Sequence, residues 1–135
     1  PGMSILQFSF YEIENLRDME ENTVLYTGTH DNDTSIGWYE SLNDKLSKNE
    51  IDTLKNVLKS DLKEVNWHMI EYSLQSRAMT VIVPIQDILG LGSDARMNTP
   101  GTINDENWSW RINGNELKNS MMEKMKNITE KANRA

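Results

Sequence analysis

The chain has 135 residues, no cysteine, and 14 Lys plus Arg against 21 Asp plus Glu, a formal net charge of −7. That is one ordinary domain by length, without disulfides, and its acid excess suits neither nucleic-acid phosphates nor an anionic membrane. No apolar run approaches the ~18 residues of a membrane helix and no secretory pattern opens the chain, so a cytoplasmic protein is expected; the charge does not disfavour a neutral ligand such as a sugar.

Met3 to Phe10, MSILQFSF, is short, apolar and aromatic, and predicts a strand. Residues 11–22 place Ile13, Leu16 and Met19 at spacing three, which suits a short helix crossing back over a sheet. Val24 to Thr27 predicts a second strand. Thr34 then caps a short helix carrying Ile36, Trp38, Tyr39 and Leu42. Ser47 and Glu50 form the S-x-x-E capping box of a helix with Ile51, Leu54, Leu58 and Leu62 on one face. Another helix starts near Asn66, with Trp67, Ile70 and Leu74 on one side. Met79 to Ile85, MTVIVPI, is almost continuously apolar, as a strand covered on both faces should be. Gln86 to Trp110 reads as a long loop rich in Gly and Asn, and the chain closes on an amphipathic helix from Glu116 to about Asn133. Leu117, Met121, Met125, Ile128 and Ala132 form its buried stripe. The alternation predicts a parallel α/β fold with right-handed crossovers and no separate second domain.

The polar groups concentrate at the end of the second strand, in YTGTHDNDT, Tyr26 to Thr34. In parallel α/β folds ligands sit beyond the carboxyl ends of the strands. His30, Asp31 and Asp33 fall there, as do Gln86 and Asp87 after the third strand. One reading is purely local: Asp31 and Asn32 shape a turn, and Asp33 or Thr34 caps a helix. A metal site is a second, but the only other histidine, His68, lies in a predicted helix beside Trp67, and one short loop makes an awkward three-ligand site. A serine hydrolase would need a G-x-S-x-G elbow, which the chain lacks. Sugar chemistry, which pairs carboxylates with hydroxyl-binding side chains and aromatic platforms, suits the composition best.

Four blocks carry a resemblance: PGMSILQFSF, VLYTGTHDNDTSIGWY, VIVPIQDILGLGSDARMNTPGT and NWSWR. In this order they resemble the C-terminal part of glycoside hydrolase family 77, the 4-alpha-glucanotransferases (amylomaltase or disproportionating enzymes). The resemblance runs through the whole chain. It implies strands six to eight, with their helices, of a (β/α)8 TIM barrel, so that residues 1–135 form the C-terminal segment of the catalytic barrel. It implies a retaining double displacement on α-1,4-glucans that needs no metal or organic cofactor.

Carried onto this sequence, the family's His-Asp pair falls on His30 and Asp31. Asp31 would be the carboxylate that grips ring hydroxyls and stabilises the oxocarbenium-like transition state, and His30 would donate to the same sugar. Gln86, Asp87, Asn98, Pro100 and Gly101 match segments that line the glucan groove, in substrate contact or loop support. Trp108, Trp110 and Arg111 match a further block, read as packing beneath the site in preference to the alternative, stacking on a sugar. The nucleophilic aspartate of an R-x-D motif and the acid/base glutamate have no counterpart here. The resemblance therefore implies an incomplete apparatus whose partner is the N-terminal remainder of the same protein. Alone, the fragment is expected to be inactive and, with two open sheet edges, to self-associate. The alternative is a non-catalytic α-glucan-binding or scaffold domain.

Overall fold

The computed structural model describes residues 2–9 and 18–135. Its centre is a three-stranded parallel sheet, in order β1 (Gly2–Ile5), β2 (Thr23–Tyr26) and β3 (Thr80–Ile82). Met3 pairs with Val24, and Leu25 pairs with Val81. Helical elements fill the connections: α1 (Leu6–Ser9), α2 (Ser35–Asn43), α3 (Lys48–Leu58), α4 (Val65–Leu74), α5 (Ile85–Leu89) and α6 (Asn119–Lys131). Parallel pairing is what the alternation of strand and helix predicts, since parallel neighbours need a crossover.

β2 is the central strand, and Thr23 and Leu25 point their side chains into the protein. Leu25 joins Leu6, Leu54, Leu58, Leu62, Val65, Met69 and Ala78 in one apolar cluster. A second cluster holds Trp67, Ile70 and Leu74 against Val81, Ile88, Met121, Met125 and Ile128. Both clusters draw on α4, which is why that helix is apolar nearly all round: Val65 and Met69 face one core, Trp67, Ile70 and Leu74 the other. Arg134 closes this end. Its guanidinium donates to the carbonyls of Leu74 at 2.6 Å and Ala78 at 2.7 Å, which satisfies acceptors past the end of α4.

Several sequence-based boundaries shift. The first strand stops at Ile5, and Leu6 to Ser9 make a helical turn that buries Leu6 completely. Phe10 and most of the expected crossover, including Ile13 and Leu16, lie outside the described residues. Helix α3 ends at Leu58, because Lys59 takes the left-handed conformation; Leu62 is buried from the following turn instead of from the helix. The third strand is three residues long, with Pro84 already serving as the N-cap of α5. Its faces are not equally covered: Val81 packs against the apolar clusters, whereas Ile82 is 43 % exposed, and among the described residues β3 pairs with β2 alone. The first half of the expected loop folds into α5 and a 3-10 turn at Ser93–Ala95. The last helix starts at Asn119, leaving Leu117 outside it, and its stripe is only half-buried.

The capping box is present as read. Ser47 N–H donates to Glu50 Oε2 at 2.8 Å, and Glu50 N–H donates back to Ser47 Oγ at 3.4 Å. The Ser47 N–H, and after it the Ser47 hydroxyl at 2.8 Å, both donate to Glu50 Oε2 and hold that carboxyl below its ordinary range. Ser47→Ala is expected to cost about 1 kcal/mol of stability in urea unfolding, the usual worth of an N-cap hydroxyl.

Candidate functional site

The loop from Thr27 to Thr34 leaves the carboxyl end of β2 and enters α2. Its shape is set by its own polar groups. Asn32 Oδ1 accepts from Thr29 N–H at 2.9 Å and from the Thr29 hydroxyl at 2.8 Å. Thr34 Oγ1 accepts from Gly37 N–H at 3.1 Å and caps the helix, as predicted. Gln7 donates across to the Asp33 carbonyl at 2.8 Å, and a Cβ on Gly28 would lie 2.7 Å from that Gln7 amide. Gly28 is therefore where β1 and β2 let the loop pass closely.

This geometry turns His30 and Asp31 outward. Their side chains are 57 % and 52 % exposed, with His30 Nε2 3.4 Å from Asp31 Oδ2. Asn98 Nδ2 donates to Asp31 Oδ1 at 2.8 Å, which fixes the carboxylate from the other side. The two loops are stitched together by Arg96, which donates to the Asp31 carbonyl at 2.7 Å and to the Asn98 carbonyl at 2.7 Å. Asn98 N–H also reaches the His30 carbonyl at 3.2 Å. Asp33 faces inward. Its carboxylate accepts from Ser93 Oγ at 2.7 Å and Thr34 N–H at 2.8 Å, with Arg96 Nη1 at 4.0 Å. It is a brace, whereas Asp31 is presented to solvent.

Beside this pair lies a cavity of about 150 Å³, lined by His30, Asn32, Asp33, Gln86, Arg96 and Met97 among others. A larger cavity of about 510 Å³, near Leu58, His68 and Tyr72, shares no residue with it. Size does not make the larger one the site. The one acid on its wall, Glu71, is already bridged by Lys131 at 3.3 Å, and the outward His-Asp pair is elsewhere.

The expected groove residues separate into three groups. Asn98 stands directly on Asp31. Gln86 is buried at 7 %, donates to the Ala95 carbonyl at 3.1 Å and lines the small cavity from α5, not from a loop. Pro100 and Gly101 occupy the two central positions of an exposed turn closed by Thr102 N–H to Thr99 O at 3.2 Å, with Gly101 at φ 76°, and they do not line the cavity.

Of the two roles expected for Asp87, the geometry corrects substrate contact and keeps loop support. It is 1 % exposed. Its carboxylate accepts from Thr27 Oγ1 at 2.7 Å, Ser35 N–H at 2.7 Å and Ser35 Oγ at 2.8 Å. Its carbonyl accepts from Asn66 at 2.8 Å. Burial pushes its carboxyl above the ordinary value, opposed by the Ser35 and Thr27 hydrogen bonds. Asp87 thus ties β2, α2, α4 and α5 together behind the site.

One residue escaped the sequence reading, and a second was left between two roles. Arg96 was legible only as one cation in an Asn-rich stretch facing an acidic loop. Trp108, read as packing beneath the site with sugar stacking as the alternative, is 51 % exposed, with its ring centroid 5.1 Å from that of His30. It also takes φ 66°, a conformation that costs a bulky residue roughly 1–2 kcal/mol.

Comparison with known proteins agrees with this layout. A family model described as 4-alpha-glucanotransferase matches residues 1–118. The chloroplastic/amyloplastic 4-alpha-glucanotransferase of Solanum tuberosum is 46 % identical over 116 residues, covering 83 % of this chain and 19 % of the relative. That of Synechocystis sp. is 38 % identical over 135 residues, covering 96 % of this chain and 26 % of the relative. An amylomaltase from Streptococcus agalactiae, solved in complex with acarbose, superposes with a TM-score of 0.88 at 30 % identity, covering 100 % of this chain and 28 % of that one. The chain thus spans about a quarter or less of two such relatives, and its α/β fold is that of the matching portion of an amylomaltase. An outward histidine-aspartate pair at the end of a central parallel strand, the sequence match and the superposition converge: the chain belongs to the 4-alpha-glucanotransferases of glycoside hydrolase family 77.

Proposed function

We propose that this chain is the C-terminal segment of a 4-alpha-glucanotransferase barrel, contributing strands six to eight and one of three catalytic carboxylates. The observation that carries the proposal is the outward Asp31, aligned by Asn98 and paired with His30 at the carboxyl end of the central strand. In the transfer of an α-1,4-glucan segment to the 4-hydroxyl of an acceptor, Asp31 holds ring hydroxyls of the sugar at the cleavage point. Those hydrogen bonds tighten as positive charge develops on the ring, so they lower the barrier instead of merely binding substrate. His30 donates to the same ring. Gln86 and Asn98 bound the groove, and Pro100 and Gly101 shape its outer loop.

Retention requires a nucleophile and an acid/base ~5 Å apart on either side of the bond. Asp33 and Asp87 serve neither role, since both carboxylates are engaged by protein donors. The nucleophile and the acid/base come instead from the N-terminal remainder of the protein. That remainder also covers the outer edges of β1 and β3, where Met3, Phe8, Met79 and Ile82 are exposed.

The test is a complementation. The chain alone, incubated with maltotriose, is expected to release no glucose and form no longer oligosaccharides. Substituted for the matched segment of the Synechocystis relative, it is expected to restore both products. Turnover by the isolated chain, or a folded hybrid that never transfers, counts against the proposal.

A further inference from the structure

We infer that Trp108 is a stacking platform for a glucose ring of the glucan, placed immediately beside the His30–Asp31 pair. The inference rests on the proposed transferase reading and adds to it a residue that sets affinity for the chain of sugars. Single exposed apolar side chains are common and by themselves mean nothing. Trp108 differs in three respects. Its indole is half-exposed next to the one outward histidine-aspartate pair, with its plane tilted 42° to the His30 ring. Its backbone is held at φ 66°, where a tryptophan is rarely found. The loop around it is also strongly braced to keep it there.

That bracing is specific. Trp108 N–H donates to the Met97 carbonyl at 2.6 Å, and Met97 lines the small cavity. Arg111 Nη1 donates to the carbonyls of Trp108 at 3.0 Å and Trp110 at 2.8 Å. Asn107, the preceding residue, accepts from Thr99 N–H at 3.1 Å and donates to the Thr102 hydroxyl at 3.0 Å. Met97 and Arg111 thus hold the Trp108 main chain directly, and Thr99 and Thr102 hold Asn107 before it, while this chain leaves the ring half-exposed. Strained main chain of this kind clusters at ligand-contacting sites. A pyranose presents C–H bonds on one face and hydroxyls at its rim. The indole face meets the first, while Asp31, His30 and Asn98 stand within reach of the second, so the two kinds of group act on adjoining parts of one ligand.

The experiment uses the hybrid enzyme and two substitutions. Trp108→Gly removes the ring and relaxes the backbone, since glycine accepts positive φ freely. It is expected to raise KM for maltoheptaose about tenfold, with kcat changed much less and the unfolding temperature unchanged or higher. Trp108→Phe keeps a flat ring and is expected to recover most of the affinity. A Trp108→Gly enzyme that unfolds earlier and loses kcat at constant KM would show a packing residue and overturn the inference, as would an unchanged KM. Maltoheptaose binding, followed by intrinsic tryptophan fluorescence, separates this outcome from failure of the transferase reading. A change seen in the parent hybrid and missing in Trp108→Phe supports the platform even where no transfer occurs, and no change in the parent overturns it.

Discussion

Asp31→Asn in the hybrid enzyme is expected to lower glucan transfer about 10³-fold, the loss seen when a preorganised group facing transition-state charge is removed. That corresponds to about 4 kcal/mol of barrier. The fold should not register the change. The Asp31 side chain is 52 % exposed, and an asparagine oxygen still accepts from Asn98, so the unfolding temperature stays where it was. What disappears is the negative charge beside the reacting ring. The substitution keeps shape and hydrogen bonding while deleting charge, so it distinguishes electrostatic stabilisation from simple binding. In the first case kcat collapses and KM moves little; in the second KM rises with kcat preserved. Transfer rates on maltotriose and maltoheptaose, with unfolding followed in parallel, decide it. A loss of less than tenfold would remove Asp31 from the catalytic set.

Asp87→Ala is expected to have the largest effect on stability, about 3 kcal/mol or more, because it strands the Ser35 N–H and two hydroxyls that the carboxylate now receives. Asp87→Asn keeps one oxygen for Ser35 N–H and an amide for the hydroxyls, and costs much less. The pair of variants also makes a prediction about pH. Burial raises the carboxyl above its ordinary value in the folded chain. The folded state therefore binds the proton more tightly than the unfolded one. Asp87's contribution is fully present below the unfolded value and is lost as pH rises through the raised folded one. The stability advantage of the parent over Asp87→Asn should shrink as pH rises across that window. Exposed carboxyls such as Glu50 and Asp61, held low by hydrogen bonds, act in the opposite direction, but they are common to both proteins and cancel in the difference. Urea unfolding at several pH values measures it. A difference that grows with rising pH would mean that Asp87 is not the buried acid its surroundings imply.

Local chemistry was legible in the sequence wherever it is carried by neighbours along the chain. The Ser47–Glu50 box, the Thr34 cap and the helix beginning near Asn66 depend on hydrogen bonds and periodicity within a turn or two, and each formed as read. The parallel order of the three strands followed from their alternation with helices. The His-Asp pair stood out because it closes an apolar strand, and its outward turn at 57 % and 52 % exposure agrees with that position.

What the sequence could not decide depends on contacts between distant residues. Asp87 lies 52 positions from Ser35 and 60 from Thr27, so nothing around it in the chain signals that its carboxylate is consumed inside the protein. Arg96 and Asn98 reach Asp31 across 65 and 67 positions, and only folding brings the two loops together. The strand at Thr80–Ile82 has the apolar run of a covered strand, yet in this chain it is an edge, because coverage depends on what packs against it. Trp108 carries no local mark of its left-handed backbone or its place beside His30, where its main chain bonds to Met97 and Arg111. Short-range hydrogen bonds and apolar periodicity are written in neighbouring residues. Burial and the pairing of distant polar groups belong to the packed chain, and they decide which acids brace this site and which one faces out of it.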